Sequence, residues 1–356
     1  MSRQYHALTT HYNVYFNGKE SLKAAKKKIE EGIEYNYTTI LPVFDYQDAS
    51  ARVLAAGDID NAIDKATKAI KLHSITRKPK RKKVKQSDKY KEFRKKKEFN
   101  SWIEDCYLLL GRAQFYKEDY RIAEKALEQG LKDFPKSEMK HEFQIELARC
   151  YIDQENYSGA IVLLEEASAL PKLSKKTRLE IAALLADINV REKDYQSAIS
   201  NLQTAIQLQT TKSVKAKYYY ILGQLYLELD QAGKASDAFL SLIKLHSTYE
   251  MAFNAKISQA LTYSGSGEGF EIRKQLSKML KDQKNADYRD QIYFALAEMD
   301  MIDGDKNAAI ENYWNSTKES VANDNQKAVS FFKLGDNYFA DLNYKKAQIC
   351  YDSSMV

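Results

Sequence analysis

The sequence is poor in the residues that break or cross-link a chain: of 356 residues, only 4 are proline, 13 glycine and 3 cysteine. At this length two or three cores or one elongated repeat array are the economical options, and an apolar share of 44% argues against disorder. Cys106, Cys150 and Cys350 are odd in number and far apart and do little to settle the compartment; each sits in an apolar helical pattern, where a thiol most often serves as a small buried hydrophobe. Long apolar runs are missing too. The longest, Ile181–Ala186 and Ile292–Ala297, are six residues each, against the roughly 20 of a membrane-spanning helix. Met1–Thr10 has neither a signal-peptide pattern nor a cysteine for lipidation.

The signatures of chemistry are equally scarce. The five histidines, at positions 6, 11, 73, 141 and 246, have no ligand-like spacing to one another or to a cysteine, so no metal is expected. There is no H-E-x-x-H, G-x-S-x-G or phosphate-binding G-x-x-x-x-G-K-[ST] pattern, and no catalytic residue or cofactor is predicted. The glycine cluster Ser264–Gly269 lacks a preceding strand and a following Lys-Ser/Thr, and Gly267 falls where an inter-helix turn is expected. The acidic cluster Asp300–Asp305 lacks calcium-loop spacing and a closing Glu, and reads as another such turn.

Charge is concentrated in one place. Thr76 to Glu98 holds 13 Lys or Arg against 3 Asp or Glu, a local +10 in a chain of net +6, so the remainder is slightly acidic at −4. The run carried by Arg77, Lys78, Lys80, Arg81, Lys82, Lys83 and Lys85 should repel itself into an extended, mobile stretch. Three readings stay open for it: a solvated loop, a dock for an acidic partner or anionic headgroups, and a nuclear-import or nucleic-acid patch.

What the sequence has in abundance is a repeat. Small residues recur at Ala62, Ala123, Ala160, Ala198, Ala235, Ala309 and Ala347, with gaps of 61, 37, 38, 37, 74 and 38. The gap of 74 is two periods with a degenerate unit between them, and the gap of 61 holds one period plus the basic stretch, which is therefore an insertion over 76–99. Upstream runs a second row, Gly111, Ala148, Ala186, Gly223, Ala297 and Gly335, each preceded by Leu. A small side chain there lets two helices approach closely. Tyr120, Tyr157, Tyr195 and Tyr344, each after Asp or Asn, mark helix starts whose first-turn amides an Asx oxygen can cap. Four residues after the Ala row, Leu127, Leu164, Leu202, Phe239, Tyr313 and Tyr351 extend the same apolar face.

These rows resemble the tetratricopeptide repeat from about Asn100 onward, with a weaker unit at Pro42–Leu72 and a degenerate helix pair at Arg3–Gly32. The turn glycine of that family is kept only at Gly57, Gly267 and Gly304. The resemblance implies an all-α solenoid, a right-handed superhelix of antiparallel helix pairs that share a core by stacking. Three segments follow: degenerate pairs over 1–75, the insertion over 76–99, and repeats over 100–356. The first helix of each pair should line a groove, where Arg112, Tyr116, Arg149, Asp153, Asp187, Arg191, Gln224 and Glu228 offer a mixed, modestly basic surface suited to a protein segment. The Lys and Asn pattern by which co-chaperone repeats clamp a C-terminal carboxylate is not reproduced there.

Two stretches narrow the resemblance. His11-Tyr-Asn-Val-Tyr-Phe-Asn-Gly18 leads into Glu20-Ser-Leu-Lys23 and Leu41-Pro-Val-Phe44; further on come Ala69-Ile-Lys-Leu-His-Ser-Ile75 and Trp102-Ile-Glu-Asp-Cys-Tyr-Leu-Leu-Leu-Gly-Arg-Ala-Gln-Phe-Tyr116. Together they are similar to the N-terminal part of the tetratricopeptide lipoproteins of Bacteroidota gliding motility and type IX secretion, the SprE/PorW group. That resemblance implies a non-enzymatic scaffold, held by a lipidated cysteine on the periplasmic face of the outer membrane, that links the translocon to other proteins of the secretion and motility complex. This sequence shows no such cysteine, and it stops at Val356 inside a second helix of the register, so it reads as a fragment of a longer protein. The alternative is a nucleocytoplasmic or RNA-associated adaptor using the basic insertion. The slightly acidic scaffold makes a nucleic-acid partner the less expected of the two.

Overall fold

Between Arg3 and Glu31 there is no proline and a single glycine, so nothing interrupts a helix. In the computed structural model, which describes residues 3–47, 49–80, 87–245, 247–265, 269–321 and 323–355, the chain runs here through α1 (Arg3–Thr9), a π-helical stretch Thr10–Tyr15 and α2 (Phe16–Glu31). It is not the pair of short helices that the sequence suggests. The partner of α2 is α3 (Ala49–His73), joined to it by a long connection whose described part holds one 3₁₀ turn, Asp45–Gln47. The expected weak unit at 42–72 is thus only the second half of a pair: Pro42 cannot donate within a helix, and among the described residues there only a 3₁₀ turn, Asp45–Gln47, precedes α3. Gly57 lies inside α3, not at a turn.

The basic insertion follows. Its neck is closed by the buried carboxylate of Glu98, which accepts from the Ile75, Phe99 and Asn100 amides at 2.7, 2.9 and 2.8 Å and from the Ser74 hydroxyl at 2.5 Å. Inside it, beyond the run expected to be extended, the chain forms a helix, α4 (Asp88–Lys95). The Ser87 side chain caps its start, and Lys91–Asp88 and Lys95–Glu92 pairs offset the like charges. Arg77, Lys78 and Lys80 are exposed; Arg81, Lys82, Lys83 and Lys85 lie outside the described residues.

The rest is a succession of helix pairs: α5 (Trp102–Tyr116) with α6 (Tyr120–Asp133), α7 (Lys140–Asp153) with α8 (Tyr157–Ser168), α9 (Lys175–Arg191) with α10 (Tyr195–Leu208), α11 (Lys212–Glu228) with α12 (Ala232–Ile243), α13 (Tyr249–Leu261) with α14 (Gly269–Lys281), α15 (Arg289–Asp303) with α16 (Lys306–Glu319), and α17 (Asp324–Ala340) with α18 (Tyr344–Ser354). No strand occurs among the described residues. The protein is an all-α tetratricopeptide-like solenoid. It divides into two compact units, Met1–Asn36 with Pro42–Leu208 and Tyr37–Leu41 with Gln209–Val356, so the N-terminal helices share a unit with the first repeats. None of the described helices is long and apolar enough to cross a membrane.

The two small-residue rows explain the pairing. Every alanine of the first row is buried. In the second row, a Cβ built on Gly111, Gly223 or Gly335 would lie 2.5 to 2.6 Å from Leu127, Phe239 or Tyr351 of the following helix. The apolar residue one turn after each alanine therefore fills the space left by the missing side chain. The degenerate pair keeps this plan with Ala260 and Ile272, both buried; Ile stands where the other repeats have Ala, which hid the unit from a search for alanine. The three cysteines are buried in the same interior.

The turns share one geometry. Glu118, Glu155, Lys193, Asp230, Gly304 and Leu342 all have positive φ, between 54° and 81°. After Glu118, Glu155, Asp230, Gly304 and Leu342 the next amide reaches back to a carbonyl five residues earlier, as in Asn156 to Tyr151 at 2.8 Å and Asp305 to Asp300 at 2.9 Å. The left-handed position thus persists without glycine, except at Gly304; Gly267 lies outside the described residues. Asn156, Asp194 and Asn343 cap the next helix as expected, and Asp305 does likewise, whereas Asp119 makes no side-chain cap. The acidic cluster at this turn is held by Arg273, which reaches Asp300 at 2.5 Å and Asp303 at 2.7 Å.

Candidate functional site

An α-helix brings residues four apart onto one face, and the first helices of the pairs place the expected groove residues accordingly. In the first unit they are not isolated cations and anions but members of two ion-pair chains. Arg112 on α5 donates to Glu142 at 2.9 Å and Glu146 at 2.6 Å, both on α7. Arg149, one turn along, reaches Glu180 on α9 at 2.6 Å and Glu146 at 3.6 Å. Glu146 is buried; burial raises its carboxyl, but Arg112 and Arg149 outweigh that and hold it below its ordinary pKa. Arg191 on α9 donates to Asp153 on α7 at 2.7 Å and to buried Asp187 at 3.1 Å. These bonds fasten successive first helices together.

Against this lattice lies the part of the α2–α3 connection that follows Leu41. In the first unit, the Arg149 guanidinium sits 4.6 Å from the Phe44 ring and 5.5 Å from the Tyr46 ring, within reach of a cation–π attraction. The two rings stack at 5.4 Å, and Tyr46 meets Phe115 edge-on at 4.9 Å and Tyr116 at 6.0 Å. Tyr116 also carries the Lys26 ammonium 5.1 Å from its ring. Burial pushes the Tyr46 phenol well above its ordinary pKa, and its hydroxyl has no hydrogen-bond partner among the described residues.

In the second unit, Tyr37–Leu41 lies on α11. The Gln224 amide takes both signs of main-chain dipole: Oε1 accepts from the Leu41 amide at 2.9 Å, and Nε2 donates to the Thr39 carbonyl at 2.6 Å and the Tyr37 carbonyl at 3.4 Å. The Tyr220 hydroxyl, one turn before, reaches the Tyr37 carbonyl at 3.5 Å and Ser258 on α13 at 3.3 Å, and its ring meets that of Tyr37 edge-on at 5.1 Å. Burial pushes the Tyr220 phenol up to about 12. Leu41 is buried, while Glu228, a turn beyond Gln224, is exposed.

Of the eight expected groove positions, Arg112, Arg149, Asp153, Asp187 and Arg191 are joined by ion pairs, Tyr116 and Gln224 touch the α2–α3 connection, and Glu228 stands open to solvent. The sequence reading missed the acidic partners Glu142, Glu146 and Glu180, and it missed Tyr37, Thr39, Leu41, Phe44, Tyr46 and Tyr220. A signal for the connection was present: Leu41, Val43 and the aromatics beside them follow no helical period, and Pro42 forbids a helix interior. Among the described residues no three His, Cys, Asp or Glu side chains gather as a metal site.

Residues 108–173 match the tetratricopeptide repeat. No curated protein matches the chain. Among solved structures, a tetratricopeptide repeat protein from Parabacteroides merdae is 15% identical, with 71% of this chain and 92% of that one covered and a TM-score of 0.43. The apo quorum sensor NprR from B. thuringiensis is 15% identical over 89% of this chain and 87% of its own, with a TM-score of 0.45. Pseudomonas aeruginosa PilF is 14% identical over 60% and 90%, with a TM-score of 0.38.

Proposed function

We propose that the protein is a non-enzymatic scaffold that recruits other proteins by holding non-helical stretches of polypeptide on the first helices of its pairs. One observation carries this reading: Gln224 hydrogen-bonds an amide and two carbonyls of a main chain laid across it. A side-chain amide used in this way recognises backbone rather than sequence, the economy by which strand-adding domains also gain affinity from main-chain bonds. The pathway is that of the Bacteroidota type IX secretion and gliding-motility scaffolds, with partners in that complex and a location on the periplasmic face of the outer membrane. Its support is the sequence similarity of residues 11–44 and 69–116.

Site-specific photo-cross-linking in the native cell tests both levels. A photoreactive residue at exposed Glu228 should trap other proteins, while one at Val162, exposed on the second helix α8, should not. Equal trapping at the two positions refutes the inner face as the contact surface. Partners drawn from an outer-membrane translocon support the pathway, and cross-links to RNA favour the adaptor reading instead.

A further inference from the structure

The backbone-reading seat on α11 is already filled by the chain's own residues. Tyr37–Leu41 contributes an aromatic ring against Tyr220, two carbonyls and one amide to Gln224, and a buried Leu41 side chain. It does so as a non-helical stretch of a long connection, where the other pairs within each unit are joined by short turns or modest loops. A turn would suffice to join two helices, so the length of this connection is not explained by linkage alone.

We propose that Tyr37–Leu41 is an exchangeable occupant of the Gln224–Tyr220 seat, and that the partner is a protein segment of the same chemistry, non-helical and carrying an aromatic residue followed four positions later by an apolar one, which binds by displacing it. The inference rests on the scaffold reading above and adds its regulation. A tethered occupant acts at an effective concentration of order millimolar, so a free segment with the same contacts competes poorly until the tethered one is weakened. The seat is then closed by default. Because Gln224 reads main chain, the side-chain preference comes from the Tyr220 ring and from the site of Leu41.

The probe is a fluorescent, end-blocked peptide of residues 35–42 added to the full chain. Wild type should bind it weakly, a chain with Tyr37→Ala and Leu41→Ala should bind it at least tenfold more tightly, and adding Gln224→Ala to that variant should abolish the gain. A double variant that keeps its helical circular dichroism and melting transition yet binds no more tightly than wild type overturns the proposal. If the double variant does not fold, hydrogen exchange on the unaltered chain decides. The Leu41 amide should exchange at least tenfold faster than the interior amides of α11, and equal protection would mean a permanent part of the core. Failure of this inference alone is recognisable: Gln224→Ala would leave the Glu228 cross-links unchanged, whereas failure of the scaffold reading removes them from wild type as well.

Discussion

Gly223 lies under the ring of Phe239: a Cβ on Gly223 would stand 2.6 Å from two ring carbons, closer than real Cβ atoms come. The ring is fully buried, so it has nowhere to retreat. Gly223→Ala should therefore destabilise the α11–α12 pair by about 1–3 kcal/mol through overpacking. Gly57 is the matched control, a helical glycine with no atom within 4 Å of its Cβ position. There, Gly57→Ala should add roughly 0.5–1 kcal/mol by reducing unfolded-chain entropy. Thermal midpoints of the two variants should move in opposite directions; a shift of the same sign in both would contradict the packing account.

The turns make a second prediction. Lys193 holds φ of 60° and Gly304 holds 81° at equivalent positions. A non-glycine residue in that region is disfavoured by roughly 1–2 kcal/mol, partly offset by the greater entropy glycine loses on folding. Lys193→Gly should thus be neutral to stabilising by up to about 1 kcal/mol, and Gly304→Ala destabilising by about 1 kcal/mol or more. Denaturant midpoints check both, and a stabilised Gly304→Ala would show that the turn does not require the left-handed backbone.

The contact between α1 and α3 should respond to acid. His6 and His73 place their Nδ1 atoms 3.1 Å apart, a contact that needs at least one neutral ring. Burial first, then His6 and Lys68, hold His73 below its ordinary value of 6.5. The folded state therefore favours the neutral imidazole. Its stabilising contribution is complete above the unfolded pKa and is lost as pH falls through the lower folded value. The thermal midpoint should drop between pH 7.5 and 5, and His73→Gln should flatten that part of the profile. An identical pH profile in the variant would remove the histidine pair as the cause.

How far the sequence reaches is clearest where two rows meet. Gly223 and Phe239 belong to separate rows, each visible as a period, and their contact follows once both are placed on paired helices. The same holds for Gly111 with Leu127 and Gly335 with Tyr351. Helix starts at Tyr120, Tyr157, Tyr195 and Tyr344 and the caps at Asn156 and Asn343 were equally legible, being local. The first helices of the pairs were legible too, but not the state of their side chains. That Arg112 is taken up by Glu142 and Glu146 depends on how one pair stacks on the next, and no short-range spacing encodes it.

The sequence by itself determined the repeat register, the buried alanines and the close helix approach at Gly111, Gly223 and Gly335, because these follow from side chains a few positions apart on helices of fixed pitch. Tertiary structure alone decided that Arg3–Glu31 pairs with α3, that Ile272 serves where other repeats use alanine, and that Tyr37–Leu41 and Phe44–Tyr46 lie on the first helices. A non-helical segment has no period to announce its destination. It settles where buried rings and unsatisfied main-chain groups find partners, and no local spacing marks Gln224, 183 residues beyond Leu41, as such a partner.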